Sequence, residues 1–178
     1  MKSFTRNFRY WLPTFFWLGV IAYESFRLSS AVTGSWLSQI LNLVHVHLSS
    51  ESFSAFHHFL RKAGHLTGYG LLCFLLFRSW FHTLADSEAG DGKAPSKPAP
   101  QYSAKSGVRW RCAALALTMT LVTAILDEWH QSFDLSRTGT PWDVVIDLSG
   151  AILFLLIALF AFKRWQVRRV EKLEEVSA

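Results

Sequence analysis

Residues 124–150 read AILDEWHQSFDLSRTGTPWDVVIDLSG, and the reading of this stretch decides the fold. It holds Asp127, Glu128, Asp143 and Asp147, with His130, Gln131 and Arg137, between apolar runs at 109–126 and 148–162. Both runs read as the apolar stretches of membrane-crossing helices. Ionisable groups at the edge of a bilayer are costly to keep there, so their default reading is functional.

The composition agrees with a membrane setting. Apolar residues make up 51% of the 178, charged residues only 17%, and the eight tryptophans suit interfacial belts. The length fits a single domain. A formal charge of +5 raises the question of nucleic acid. The lysines and arginines fall between apolar runs with no nucleic-acid motif around them, which excludes that class. Cys73 and Cys112 lie in apolar runs without a CxxC partner and read as small buried side chains.

Four spans are expected, at about 10–27, 65–81, 111–129 and 143–165. Polar residues intrude at their ends, which suits a packed bundle better than isolated anchors. The first span has the basic start of a signal peptide, but Glu24, Arg27 and its crowded aromatics mark it as retained. Between spans one and two, residues 35–60 place Trp36, Ile40, Leu43, Val44, His47 and Leu48 at helical spacing, followed by a second short stretch at 53–60. One or two amphipathic helices on the membrane surface are predicted there. The expected fold is an all-α integral membrane four-helix bundle with this interfacial segment.

Residues 86–107 are rich in Pro, Ala, Ser, Gly and Lys and read as a disordered cytoplasmic linker. Residues 166–178 form a charged cytoplasmic tail. In a four-span arrangement, fourteen of the eighteen lysines and arginines fall on the side of the two termini. Both termini are therefore expected in the cytoplasm. Glu24, Arg61, Lys62, His65, Asp127, Glu128, His130, Arg137, Asp143 and Asp147 then gather at the opposite end of the bundle.

Three motifs carry the candidate chemistry. In RKAGHLTGYG (61–70), Arg61, His65 and Tyr69 share a helix face by i,i+4 spacing. Arg61 and Lys62 read as cations snorkelling to headgroups or as an anion clamp. Gly64 and Gly68 form a GxxxG, which predicts close approach by another helix backbone. In DEWHQSF (127–133), Gln131 shares a face with Asp127 and with Glu128, while the two carboxylates point about 100° apart. His130 is expected on the surface. In RTGTPWDVVIDLSG (137–150), Thr140 fits a helix N-cap, Pro141 the first helical position and Asp143 the third. Asp147 and Gly150 continue the same stripe, and Asp147, with no capping role, wants a partner such as Arg137, His65 or Tyr69. The spacing of Asp127, Glu128, Asp143 and Asp147 is not diagnostic of a metal site, and no cofactor is expected.

In this order the three blocks resemble the VanZ-like family of small membrane proteins. The carrying residues are Arg61-Lys62 with His65 and Tyr69, Asp127-Glu128 with Gln131 and Phe133, Arg137, and Asp143 with Asp147 and Gly150. At position 147 the family often has asparagine, so a charge there is not a requirement of the pattern. The resemblance implies an integral protein of the bacterial envelope, and the namesake is linked to low-level teicoplanin resistance. It implies a class and no reaction. The expected function is binding of a lipid, lipid-linked precursor or glycopeptide-type molecule at the outer-leaflet charged cluster. The alternatives are an intramembrane hydrolase or transferase using Asp127 or Glu128, His65 and Arg137, and a purely structural role for the charges.

Overall fold

The structure is a computed structural model that describes residues 2–27, 29–90, 101–133 and 140–177, with side chains described for 8–27, 29–84, 107–133 and 140–164. The described residues form five helices and no strands: α1 (Lys2–Arg27), α2 (Ser30–Leu43), α3 (Ser50–Gly90), α4 (Gln101–Gln131) and α5 (Pro141–Ser177). Helix α3 is the hub. It packs against α1, α4 and α5, while α4 also packs against α5 and touches α1.

Two of the helices are long and apolar enough to cross a membrane, at Gly107–Gln131 in α4 and Pro141–Arg164 in α5. The other two expected spans lie in α1 and α3, and the contacts between those helices explain their lower apolarity. Trp11 Nε1 donates to Thr83 Oγ1 at 3.1 Å, and Trp17 Nε1 donates to the Gly68 carbonyl at 2.9 Å. Ser79 Oγ donates to the Tyr10 carbonyl at 2.9 Å, so Thr14 Oγ1 is the donor in the buried 2.9 Å Thr14–Ser79 pair. Polar atoms satisfied between helices are compatible with an apolar surround, where an unsatisfied one costs several kcal/mol at roughly 2–7.

The outer surface is apolar and the interior partly polar. Phe15, Phe16, Val122, Leu126, Leu156, Ile157 and Phe160 are exposed, while Thr14, Ser79, Thr120, Glu128, Gln131 and Asp147 are buried. An apolar exterior of this extent is foreign to a monomer in water. At one end Arg78 lies over the Tyr10 ring at 5.6 Å and Arg109 over Phe162 at 5.6 Å. The Tyr10 ring stacks on His82 with centroids 4.0 Å apart. From His82 back to His65 is about 25 Å along α3 at ~1.5 Å per residue, close to the ~30 Å of a hydrocarbon core.

Of the one or two helices expected between the first two spans, the structure has one. Helix α2 exists and exposes Trp36, Ile40, Leu43 and Val44, with no buried residue. The stretch 53–60 is not a second surface helix: it forms the first turns of α3, which runs without interruption from Ser50. Between them α2 ends in a Schellman motif, with Val46 N–H on the Leu41 carbonyl at 2.9 Å and His45 N–H on that of Asn42 at 3.1 Å. His45 takes the left-handed position, with φ of 56°. At the far end α3 reaches Gly90 and α4 begins at Gln101, so both edges of the expected linker are helical, and 91–100 lie outside the described residues.

Helices α3 and α5 run parallel and meet most closely at Gly150. A Cβ there would lie 2.0 Å from the Leu66 carbonyl oxygen. At Gly70 a Cβ would lie 2.5 Å from the Phe154 ring. The GxxxG expectation is corrected here: neither Gly64 nor Gly68 has any such neighbour within 4 Å. Spacing identifies a small-residue stripe but not which helix, if any, lies over it.

Two predictions follow from backbone geometry. Gly150→Ala forces α5 away from α3 and lowers stability by about 2–3 kcal/mol, the scale of an overpacked interface, read as a drop in the thermal midpoint in detergent. His45→Gly removes the left-handed penalty and stabilises the α2 cap by up to about 1 kcal/mol, read as slower amide exchange over 41–46.

Candidate functional site

The polar residues named from sequence converge where α3, the C-terminal turns of α4 and the first turns of α5 meet. Three local causes place them. On α3, i,i+4 spacing brings the His65 and Tyr69 rings into parallel offset, with centroids 6.2 Å apart. On α5, the close approach at Gly150 sets Asp147, three residues earlier, against α3. On α4, the helix runs past Asp127 and Glu128 to Gln131 before it ends.

The pairings are specific. His65 Nδ1 lies 3.2 Å from Asp147 Oδ1, with Asp147 fully buried. Tyr69, also buried, donates its hydroxyl to Asp127 Oδ2 at 2.7 Å. Glu128 Oε2 accepts from the Thr140 backbone N–H at 3.1 Å, and Thr140 Oγ1 donates to Asp143 Oδ2 at 2.9 Å. The α5 start is thus the expected cap, with one change. In a usual capping box the third-position carboxylate takes the N-cap N–H. Here a carboxylate from α4 takes it, and Asp143 takes the hydroxyl instead.

Among the described residues, three buried carboxylate oxygens have no hydrogen-bond partner: Asp127 Oδ1, Glu128 Oε1 and Asp147 Oδ2. Ligand atoms of His65, Glu128 and Asp147 lie within 4.8 Å of one another, so these three side chains could hold a metal ion.

Beside this centre opens a cleft of about 260 Å³. Arg61, His65, Tyr69, Asp127, Gln131 and Glu24 supply its polar lining, and Ile21, Leu37 and Leu60 its apolar lining. Gly64 and Gly68 line it too, so the absence of side chains there keeps space open. Helix α2 closes one side. Arg61 hydrogen-bonds to Ser30 Oγ, and His57 Nε2 lies 2.9 Å from Thr33 Oγ1. The Thr33 hydroxyl also lies within reach of the Ser29 and Ser30 carbonyls, so either it or His57 Nε2–H donates in this pair, according to the imidazole tautomer.

Of the sequence-predicted residues, Arg61, His65, Tyr69, Asp127 and Gln131 line the cleft, and Glu128 and Asp147 stand behind it. Asp143 serves the α5 cap. Lys62 is exposed and outside the cleft lining. Arg137 lies outside the described residues. His130, expected on the surface, is half-buried, with Nδ1 3.4 Å from Ser25 Oγ and its ring 4.2 Å from that of Phe26. Sequence reasoning missed Thr33 and His57. Their only local signal was the apolar spacing of α2, which fixes a helix and not its partner.

These features define a class: an all-helical protein with two apolar spanning-length helices and a polar centre between helices, compatible with a membrane setting. A model of the VanZ/LLP1 family matches residues 10–162, and the chain belongs to that family. No curated protein and no solved structure matches it.

His57 generates a pH prediction. Burial, then the charges of Arg61 and His58, hold its pKa below the usual 6.5. An unfolded or undocked segment takes the proton more readily, so the α2–α3 contact is intact above pH 6.5 and weakens as pH falls through the lowered value. Protection of the α2 amides, corrected for the intrinsic pH dependence of exchange, is expected to fall as pH drops below about 6.5, and His57→Gln to flatten that dependence.

Proposed function

We propose that this chain is a multi-pass protein of the bacterial inner membrane, with four crossing helices, both termini in the cytoplasm and α2 lying on the outer surface. Its cleft, opening at the outer leaflet, binds the polar head of an envelope lipid, a lipid-linked precursor or a glycopeptide-type molecule. The observation that carries this reading is the mixed lining of the cleft. It offers a guanidinium, an imidazole, a phenol and an amide, with the Glu24 and Asp127 carboxylates, together with the apolar side chains of Ile21, Leu37 and Leu60. An amphipathic ligand matches both, with a headgroup at Arg61 and Gln131 and apolar surface against the leucines.

The open floor at Gly64 and Gly68 supports the same reading, because it leaves backbone accessible to a ligand. The uneven distribution of lysine and arginine supports the orientation. Retaining or presenting such a molecule at the outer leaflet would give a role in antibiotic tolerance or envelope homeostasis. Membrane lipids are the constant partners.

The test is native mass spectrometry of protein released from lipid nanodiscs, wild type beside Arg61→Gln. A specific co-purifying lipid on the wild type, weakened about tenfold or more in the variant, is expected from loss of one charge-assisted hydrogen bond worth ~1.5–3 kcal/mol. A wild type that carries no specific lipid, or a variant that retains it in full at equal thermal stability, overturns the reading.

A further inference from the structure

We infer that His65, Glu128 and Asp147 form a binding site for one divalent transition-metal cation, of zinc or manganese type, whose open face is the cleft. The inference starts from atoms without partners. Buried polar groups are almost always hydrogen-bonded, and a specific exception calls for a reason such as an ion. Asp147 is fully buried and Glu128 is 7% exposed, yet Asp147 Oδ2 and Glu128 Oε1 have no partner among the described residues. Asp127 Oδ1 on the same helical turn as Glu128 is a third such oxygen. Several orphan carboxylate oxygens in one place form an electronegative centre that a divalent cation neutralises more completely than hydrogen bonds do.

The donor set fits. One imidazole and two carboxylates, from three different helices, have ligand atoms within 4.8 Å of one another. Tetrahedral bonds of ~2.0–2.2 Å place ligand pairs ~3.3–3.6 Å apart, so side-chain rotations of about 1 Å bring them onto one ion. Nitrogen with oxygen suits zinc or manganese better than the all-oxygen cages of calcium and magnesium. The surroundings also fit. Glu128 Oε2 is fixed by the Thr140 N–H at 3.1 Å, the kind of outer hydrogen bond that orients a ligating carboxylate.

Access comes from the third ligand. His65 lines the cleft and is 25% exposed, whereas Glu128 and Asp147 lie behind it. Three protein ligands leave a coordination position, and the cleft that His65 lines gives water or an anionic ligand a way to fill it. The binding site needs no lipid to form, so it stands independently of the ligand reading above.

The experiment uses the full chain in detergent, stripped with a chelator and then titrated with Zn²⁺ and, separately, Mn²⁺. One ion per chain is expected, with His65→Ala and Glu128→Gln each weakening binding by about 100-fold or more. The double variant His45→Gln/His58→Gln, which removes histidines outside the cluster, keeps full affinity. Zinc-edge X-ray absorption of the wild-type complex reads one imidazole and at least two oxygens. That measurement decides the matter by itself if the cluster variants fail to fold. Absence of saturable binding below about 100 µM, an imidazole-rich ligand shell, or loss of binding in the double variant overturns the inference. Because the titration contains no lipid ligand, a failed metal site leaves the headgroup reading standing, and the reverse holds.

Discussion

The polar centre between α3, α4 and α5 depends on how near α5 can come to α3, and Gly150 admits that approach. With no side chain at 150, the α5 backbone rests against the Leu66 carbonyl, where even a Cβ would be 2.0 Å away. Asp147, three residues earlier on α5, then falls beside His65, which precedes Leu66 on α3. An α5 displaced outward by a methyl group would leave a fully buried carboxylate without its imidazole, the most destabilising state available to such a pair. The glycine and the His65–Asp147 contact are therefore one constraint seen from two sides.

The same economy appears at the end of α4. Glu128 completes the N-terminal cap of α5 from another helix, which ties the α4–α5 hairpin across the residues that connect them. Because the cap takes only one carboxylate oxygen, the other remains directed at the buried centre. Asp143, standing where a local capping carboxylate belongs, is relegated to the Thr140 hydroxyl. A purely local cap could have used Asp143 alone, so the engagement of Glu128 couples helix initiation to the geometry of the polar centre.

Much of this was legible in sequence because it is written in short-range chemistry. The helical class, the start of α5 at Thr140-Pro141, the shared face of His65 and Tyr69, and the inward stripe of Asp147 and Gly150 all follow from periodicity or capping rules. What was not legible depends on which element lies opposite. Gly64 and Gly68 have the spacing of a packing motif, yet they border a cleft, while the glycines that admit a neighbour are Gly70 and Gly150. The stretch 53–60 has an apolar pattern equally suited to a surface helix or to the opening turns of a longer one, and Ser49, bonding the Ser52 N–H at 3.2 Å, starts α3 there. His130 looks like a surface residue until α1 supplies Ser25 and Phe26.

The division between α1–α3 and α4–α5 carries a last consequence. Apolarity alone marks α4 and α5 as spanning-length helices, whereas α1 and α3 exchange side-chain hydrogen bonds at Trp11, Thr14, Trp17, Ser79 and Thr83. Those bonds are oriented and fix α1 against α3 in one register, which apolar contacts between smooth helices do poorly. Trp17 anchors that register beside the cleft, at the Gly68 carbonyl, one turn from His65. The polar helices therefore supply position and the apolar helices supply the surround, so that a charged centre with unpartnered oxygens can persist in a protein whose outer face is hydrocarbon-like.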